Sequence, residues 1–157
     1  MKEELLYRPY VSASLDDCLK LFDANCPEYF APNERDDYKD FLEASPKAYE
    51  LCIVSGKLIA AFGVFPEGKA MGGDGREARN ASLNWILIDP DMQGSGIGTE
   101  LMSRALNRAS LLGTQALKIA ASHKSAPFFK KFGAEVVRET PDGWGPGMHR
   151  IDMVIEL

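Results

Sequence analysis

Gln93, Gly94, Ser95, Gly96, Ile97 and Gly98 put three glycines at alternate positions, directly ahead of an apolar stripe at Ile97, Leu101, Ala105, Leu106, Ala109 and Leu112. The stripe recurs at helical spacing, so the glycines fall where a helix begins and its first N–H groups have no partner within the helix. Without Cβ atoms in the way a ligand can approach that main chain closely, and an anionic phosphate is what such a helix start attracts. The plainer alternative is a tight turn, for which one or two glycines would serve. Spacing narrows the ligand, because neither the G-x-G-x-x-G dinucleotide fingerprint nor the G-x-x-x-x-G-K-[ST] P-loop is present.

The element ahead of the turn is a mostly apolar run from residue 83 to 88 with Trp85, Ile86 and Ile88, the pattern of a strand covered on both faces. Asp89-Pro90 ends it, since proline lacks an N–H and restricts the residue before it. Together the Q-G-S-G-I-G series and the Ile88-Asp89-Pro90 strand end resemble the Q/R-x-x-G-x-G/A signature and V-x-P strand end of the GCN5-related N-acetyltransferases. A second segment, Ala126, Phe128, Phe129, Lys131 and Gly133, resembles that family's A-x-x-[FL]-Y-x-K-x-G-F stretch, with the alanine one position nearer the aromatic pair. The resemblance is specific from about residue 82 to 134 and follows the family's element order over nearly the whole chain.

The resemblance implies an α/β fold: a mixed, mostly antiparallel, twisted sheet of six to seven strands with about four helices, its central strands parallel and splayed. It implies acetyl-CoA as cosubstrate, held by Ile86, Leu87 and Ile88, by Gln93, Gly94, Ser95, Gly96, Ile97, Gly98 and Thr99, and by Ser125, Phe128 and Phe129. The acceptor would be a primary amine of a small molecule, peptide or protein. It would enter beside Tyr29, Phe30 and Glu34, because the region between the first two helices lines the family's acceptor pocket, and beside Trp144, which is either a pocket wall or a loop anchor. The alternative function is a non-catalytic acyl-CoA sensor or regulatory module, and assembly as a homodimer is left open.

Acetyl transfer from a thioester to an amine needs a donor for the carbonyl oxygen, a base for the ammonium and a proton for sulfur. Backbone N–H groups near Ile86 to Ile88 supply the first if the strand splays. Ser82 and Asn84 stand where several relatives carry glutamate, and neither is a useful base. Glu34, His123 or a water chain remain, against readings in which Glu34 supports a helix start and His123 caps a helix or faces solvent. Phe129 stands where relatives often have the tyrosine that returns the proton to sulfur, so that route does not carry over.

Length and composition agree with one domain over residues 1–157: 45% of residues are apolar and 26% charged. No run approaches the roughly 18 apolar residues of a membrane span, and the charged start MKEELLYR lacks a signal-peptide core, so the cytoplasm is the expected compartment and no membrane partner is implied. Cys18, Cys26 and Cys52 are odd in number and read as reduced thiols. Two histidines without cysteines at ligand spacing argue against a zinc site, and no metal is expected. A net charge of −5 argues against nucleic acid and suits a cationic or neutral acceptor.

Along the chain, Leu5 to Val11 predicts a first strand near a sheet edge, interrupted by Pro9. Ser14 with Asp17, Asn33 and Ser125 are read as helix caps. Residues 48–55 and 57–65 form a hairpin about Gly56, and 66–80 a long loop. A strand over Leu117 to Ala121 follows, then a short helix, SAPFFKKF, and two tail strands around a Gly/Pro-rich loop.

Overall fold

A computed structural model describes residues 4–67, 80–92 and 94–157. In chain order the elements are β1 (Leu6–Pro9), α1 (Leu15–Ala24), α2 (Glu34–Glu43), β2 (Tyr49–Val54), β3 (Lys57–Pro66), β4 (Asn80–Ile88), α3 (Ile97–Leu111), β5 (Ala116–Ser122), α4 (Ala126–Lys130), β6 (Glu135–Gly145) and β7 (Met148–Glu156). The seven strands form one sheet in the order β1-β2-β3-β4-β5-β7-β6. Among the described residues only the β4–β5 pair is parallel. This is the mixed, mostly antiparallel sheet with four helices that the resemblance implies.

Helices cover both faces, which is why the central strands read as continuous apolar runs rather than alternating ones. On one face Cys52, Phe62, Val64, Leu83 and Ile119 pack under Ile97, Leu101, Met102 and Ala105 of α3. On the other, Tyr49, Leu51, Ala61 and Leu87 pack under Cys18, Leu19 and Phe22 of α1 and Tyr38 and Leu42 of α2. The β2–β3 hairpin closes through Ser55 and Gly56, both at positive φ, as a two-residue turn matched to strand twist requires.

The feature that positions the site is a bulge in β4. Ala61 pairs with Leu87 and Gly63 with Asn84, so Phe62 alone faces both Trp85 and Ile86. Trp85 takes up the extra residue at φ +49. One added residue reverses which face each later side chain meets: Ala81 and Leu83 join the α3 core, whereas Trp85 and Leu87 pack with the α1–α2 core. The bulge is held by a side chain from two strands away: the Tyr49 hydroxyl donates to the Trp85 carbonyl at 2.6 Å and lies 2.8 Å from the Tyr38 hydroxyl.

Several local expectations are corrected. Ser14, Asn33 and Ser125 sit at helix starts but make no side-chain capping bond; Asn33 instead donates to the Trp144 carbonyl at 2.7 Å. The first strand is shorter than Leu5–Val11, although it does lie at the edge with Pro9 in it. Helix α4 ends at Lys130, and Gly133 at φ +89 turns the chain beyond it. The Gly/Pro-rich tail segment belongs largely to strand β6, leaving Pro146-Gly147 as the turn. The loop expected over 66–80 is bracketed by strand residues Pro66 and Asn80, and residues 68–79, with Gly72-Gly73, lie outside the described residues.

Candidate active site

β4 and β5 pair only from Asn80↔Ala116 to Leu83↔Ile119. Beyond that point β4 stays on β3 while β5 follows β7 as far as Ser122↔Arg150, so the two parallel strands diverge. The N–H groups of the Ile86–Ile88 stretch that face the gap therefore have no partner on β5. Trp85, Ile86 and Ile88, expected to be buried on both faces, are only half-buried because they line what the gap opens into.

Two cavities meet there. The outer, about 470 Å³, runs from Ile86 and Ile88 along Met92, Gly94, Gly96, Gly98 and Thr99 to Ser125, Phe128 and Phe129, with Lys124 and Lys131 contributing ammonium groups. The inner, about 160 Å³, is walled by Leu83, Asn84, Trp85 and Ile119 from the strands, by Tyr29, Phe30 and Glu34 from the α1–α2 connection and start of α2, and by Trp144. Tyr29, Phe30, Ile86 and Phe129 line both, so the cavities join at the bulge.

The turn ahead of α3 divides the work of its glycines. Gly94 and Gly96 adopt φ +80 and +88, and a Cβ on either would meet no atom within 4 Å, so their requirement is main-chain conformation with open space in front. Gly98 differs: a Cβ there would come within 2.6 Å of Phe128, so its lack of side chain lets α3 and α4 pack closely. Asp89 organises the approach by accepting from the Asp91 N–H at 2.9 Å, and Ser95 is tied back to the Met92 carbonyl by both its N–H and its hydroxyl. α3 begins at Ile97, leaving its first amides without intrahelical acceptors at the cavity rim. Gln93 lies outside the described residues.

Glu34 is the first residue of α2 and 4% exposed. Its Oε2 accepts the Ala31 N–H at 2.7 Å while its own N–H donates to the Ala31 carbonyl at 2.9 Å. Burial pushes its carboxyl up to about 7; the Ala31 N–H offsets part of this and nearby Asp37 adds to it. A carboxyl that titrates near neutrality in a cavity can exchange protons with a ligand. Glu34 thus pins the start of α2 and lines the inner cavity.

Trp144 is both wall and anchor. Its indole N–H donates to the Ala121 carbonyl at 2.9 Å, and the Arg150 guanidinium lies 4.8 Å from the ring centroid. Phe30 stacks on Trp85 at 6.0 Å between centroids, so it too serves core and cavity. His123 is placed elsewhere, among residues lining neither cavity: its Nδ1 accepts the His149 N–H at 3.2 Å, and the rings lie 4.7 Å apart. The sequence reading missed Tyr38 and Tyr49, which hold the bulge, and Met92, Lys124 and Lys131 as lining. Lys131 falls within the quoted A-x-x-[FL]-Y-x-K-x-G-F match and was open to inference; nothing local marks Tyr49.

The profile described as the acetyltransferase (GNAT) family matches residues 15–134. An uncharacterized N-acetyltransferase of Methanocaldococcus jannaschii is 34% identical over 67 residues, which are 41% of this chain and only 29% of that protein. Among solved structures, a GCN5-related N-acetyltransferase from Kribbella flavida superposes with TM-score 0.73 at 18% identity, covering 98% of each chain. An aminoglycoside 6′-N-acetyltransferase complexed with coenzyme A gives 0.70 at 12% identity, covering 96% of each. At those identities the structures share the fold, whereas the profile spans most of the chain and every element framing the cavities as far as α4. On that match the chain belongs to the acetyltransferase (GNAT) family.

Proposed function

We propose that the protein transfers an acetyl group from acetyl-CoA to a primary amine, in the cytoplasm. The observation that carries this reading is the pair of joined cavities: an outer one with a positively φ-turned glycine rim, and an inner one holding a buried carboxyl that titrates near neutrality. The outer cavity fits acetyl-CoA. Gly94 to Thr99 offers main-chain N–H groups to the pyrophosphate, Lys124 and Lys131 add positive charge in a chain of net charge −5, and Ile86, Ile88 and Phe128 give the apolar path a pantetheine arm needs. Coenzyme A in the related aminoglycoside acetyltransferase structure supports the same assignment.

At the junction, an N–H of the Ile86–Ile88 stretch donates to the thioester carbonyl oxygen, and the amine attacks the carbonyl carbon from the inner cavity. Glu34 takes the proton that the nitrogen must lose. Raised to about 7, its carboxylate is a stronger base than an ordinary glutamate and lies closer to an ammonium near 10. The C–S bond breaks, and the sulfur takes its proton from water, because Phe129 has none to give. His123 lines neither cavity and its Nδ1 already accepts the His149 N–H, so a relay through it would need intervening water.

A second reading, a non-catalytic acyl-CoA sensor, is favoured by Phe129, which lines both cavities where a proton donor would serve a transferase. The test is release of free thiol from acetyl-CoA across an amine panel, beside a thermal-shift assay. A transferase shows both a shift and amine-dependent thiol release; a sensor shows the shift alone.

A further inference from the structure

The inner cavity is selective in three physical respects. It is small: about 160 Å³, close to the ~150 Å³ of an engineered apolar cavity that accommodates benzene. It is aromatic, with Tyr29, Phe30, Trp85 and Trp144 among its walls. It also carries one carboxyl, Glu34, and no lysine, arginine or histidine among its described lining residues.

Its lateral wall is closed. Asn33 donates to the Trp144 carbonyl at 2.7 Å, and the chain packs so tightly at Gly145 that a Cβ there would lie 2.2 Å from the Asn33 oxygen and 2.9 Å from Ala31. The α1–α2 connection is thereby joined to the β6–β7 hairpin. An extended peptide laid across an acceptor site needs an open groove at that seam. A compact molecule entering amine-first does not.

From this geometry we infer that the acceptor is a small arylalkylamine: one primary amine, one or two carbons from a compact aromatic body, with no second charge. This rests on the transferase reading above and adds the acceptor class. A single carboxyl can meet a single ammonium, whereas a second ammonium of a polyamine or aminoglycoside would be desolvated against aromatic walls without a counter-charge. A carboxylate on the acceptor would likewise find no cation in the inner cavity and would be repelled by Glu34. The aromatic walls also suit an ammonium over ring faces on its way to Glu34.

The test uses phenethylamine, spermidine, kanamycin, glutamate and a peptide with a free N-terminus, each with acetyl-CoA, and calorimetry of phenethylamine binding to the CoA-loaded protein. Phenethylamine should give kcat/KM at least roughly tenfold above every other acceptor, as burial of one ring implies, and should bind the CoA complex saturably. Ala120→Phe should narrow the cavity from an exposed position of β5, lowering kcat/KM for phenethylamine at least tenfold more than that for ethylamine. Retention of the acetyl-CoA thermal shift reports that the variant is folded. If acetyl-CoA shifts the protein and spermidine, kanamycin, glutamate or the peptide outpaces phenethylamine, the acceptor inference falls and the transferase reading stands. Equal losses for phenethylamine and ethylamine in Ala120→Phe also overturn it. A shift with no acetyl transfer to any amine removes both in favour of the sensor, and absence of any shift removes the cofactor assignment beneath them.

Discussion

The outer cavity is bounded at its rim by main chain contributed by one continuous stretch, Gly94 to Thr99, and the inner cavity by side chains drawn from the α1–α2 connection, two diverging strands and a C-terminal hairpin. The difference follows from what each would bind. A pyrophosphate is recognised through N–H groups and charge, which a turn can supply locally. An acceptor is recognised by shape, which needs walls from several elements. The outer end therefore tolerates changes to side chains but not to backbone, and the inner end the reverse.

Gly96→Val tests the backbone half of that comparison and should have the largest effect. A β-branched residue at φ +88 is strained, and its side chain would project into the open space ahead of the turn. The wild-type protein at one hundred times the dissociation constant of acetyl-CoA should gain about 2.7 kcal/mol, and the variant none. Thermal denaturation with and without acetyl-CoA measures it; an undiminished shift would mean that phosphates bind elsewhere.

Tyr49→Phe tests the side-chain half from a distance. It leaves the Trp85 carbonyl without its 2.6 Å donor in a buried setting, at a cost of about 1–3 kcal/mol. Because that bond fixes the bulge at the cavity junction, kcat should fall more than the KM for acetyl-CoA rises. Tyr38→Phe keeps the Tyr49–Trp85 bond and should cost less on both counts. Equal effects of the two would show that the ring packing, not the bulge, matters.

The buried Glu34 carries a stability signature of comparable size. Its folded-state value of about 7 lies above the ordinary 4.5, so the native state holds this proton more tightly than the unfolded chain. The stabilisation it brings is full below about 4.5, declines as pH rises through about 7, and is constant above that. Urea unfolding of wild type and Glu34→Gln from pH 4 to 8 should show the wild type losing up to about 3 kcal/mol relative to the variant. A pH-independent difference would place Glu34 in a far more solvated setting.

Lys131→Ala should give the smallest change. The ammonium is exposed at the outer rim, and affinity for acetyl-CoA should fall roughly two- to fivefold, less at high salt. A loss beyond a hundredfold would show that side-chain charge, rather than the glycine turn, dominates phosphate binding.

The same contrast explains what could be read before the structure. The glycine turn, the strand ahead of it and the helix behind it are local, so residues 82–99 already pointed to the family that the profile match shows. The mixed, mostly antiparallel sheet with its parallel central pair followed from the family resemblance, whereas the strand order came only with the structure. The Trp85 bulge and the Tyr49 bond that secures it join residues 36 apart, and no periodicity marks either. Glu34 was legible as an acid in the right segment, but its environment was not: burial and the Ala31 N–H arise only when α2 docks on the sheet. Caps failed for a related reason. Asn33 has the right chemistry for a helix start, yet the β6–β7 hairpin brings the Trp144 carbonyl within reach, and a tertiary acceptor wins over a local one.

The central claim is that acyl transfer at the junction passes its proton to Glu34, and the pH dependence of kcat/KM tests it most directly. With phenethylamine entering as an ammonium that gives its proton to Glu34, the wild type should climb with slope one below about pH 7, where Glu34 must first lose its own proton, and level off above it. Glu34→Gln should be lower by roughly 10²–10⁴ and keep slope one throughout. Profiles of identical shape in the two proteins would contradict the claim and move proton removal to water or His123.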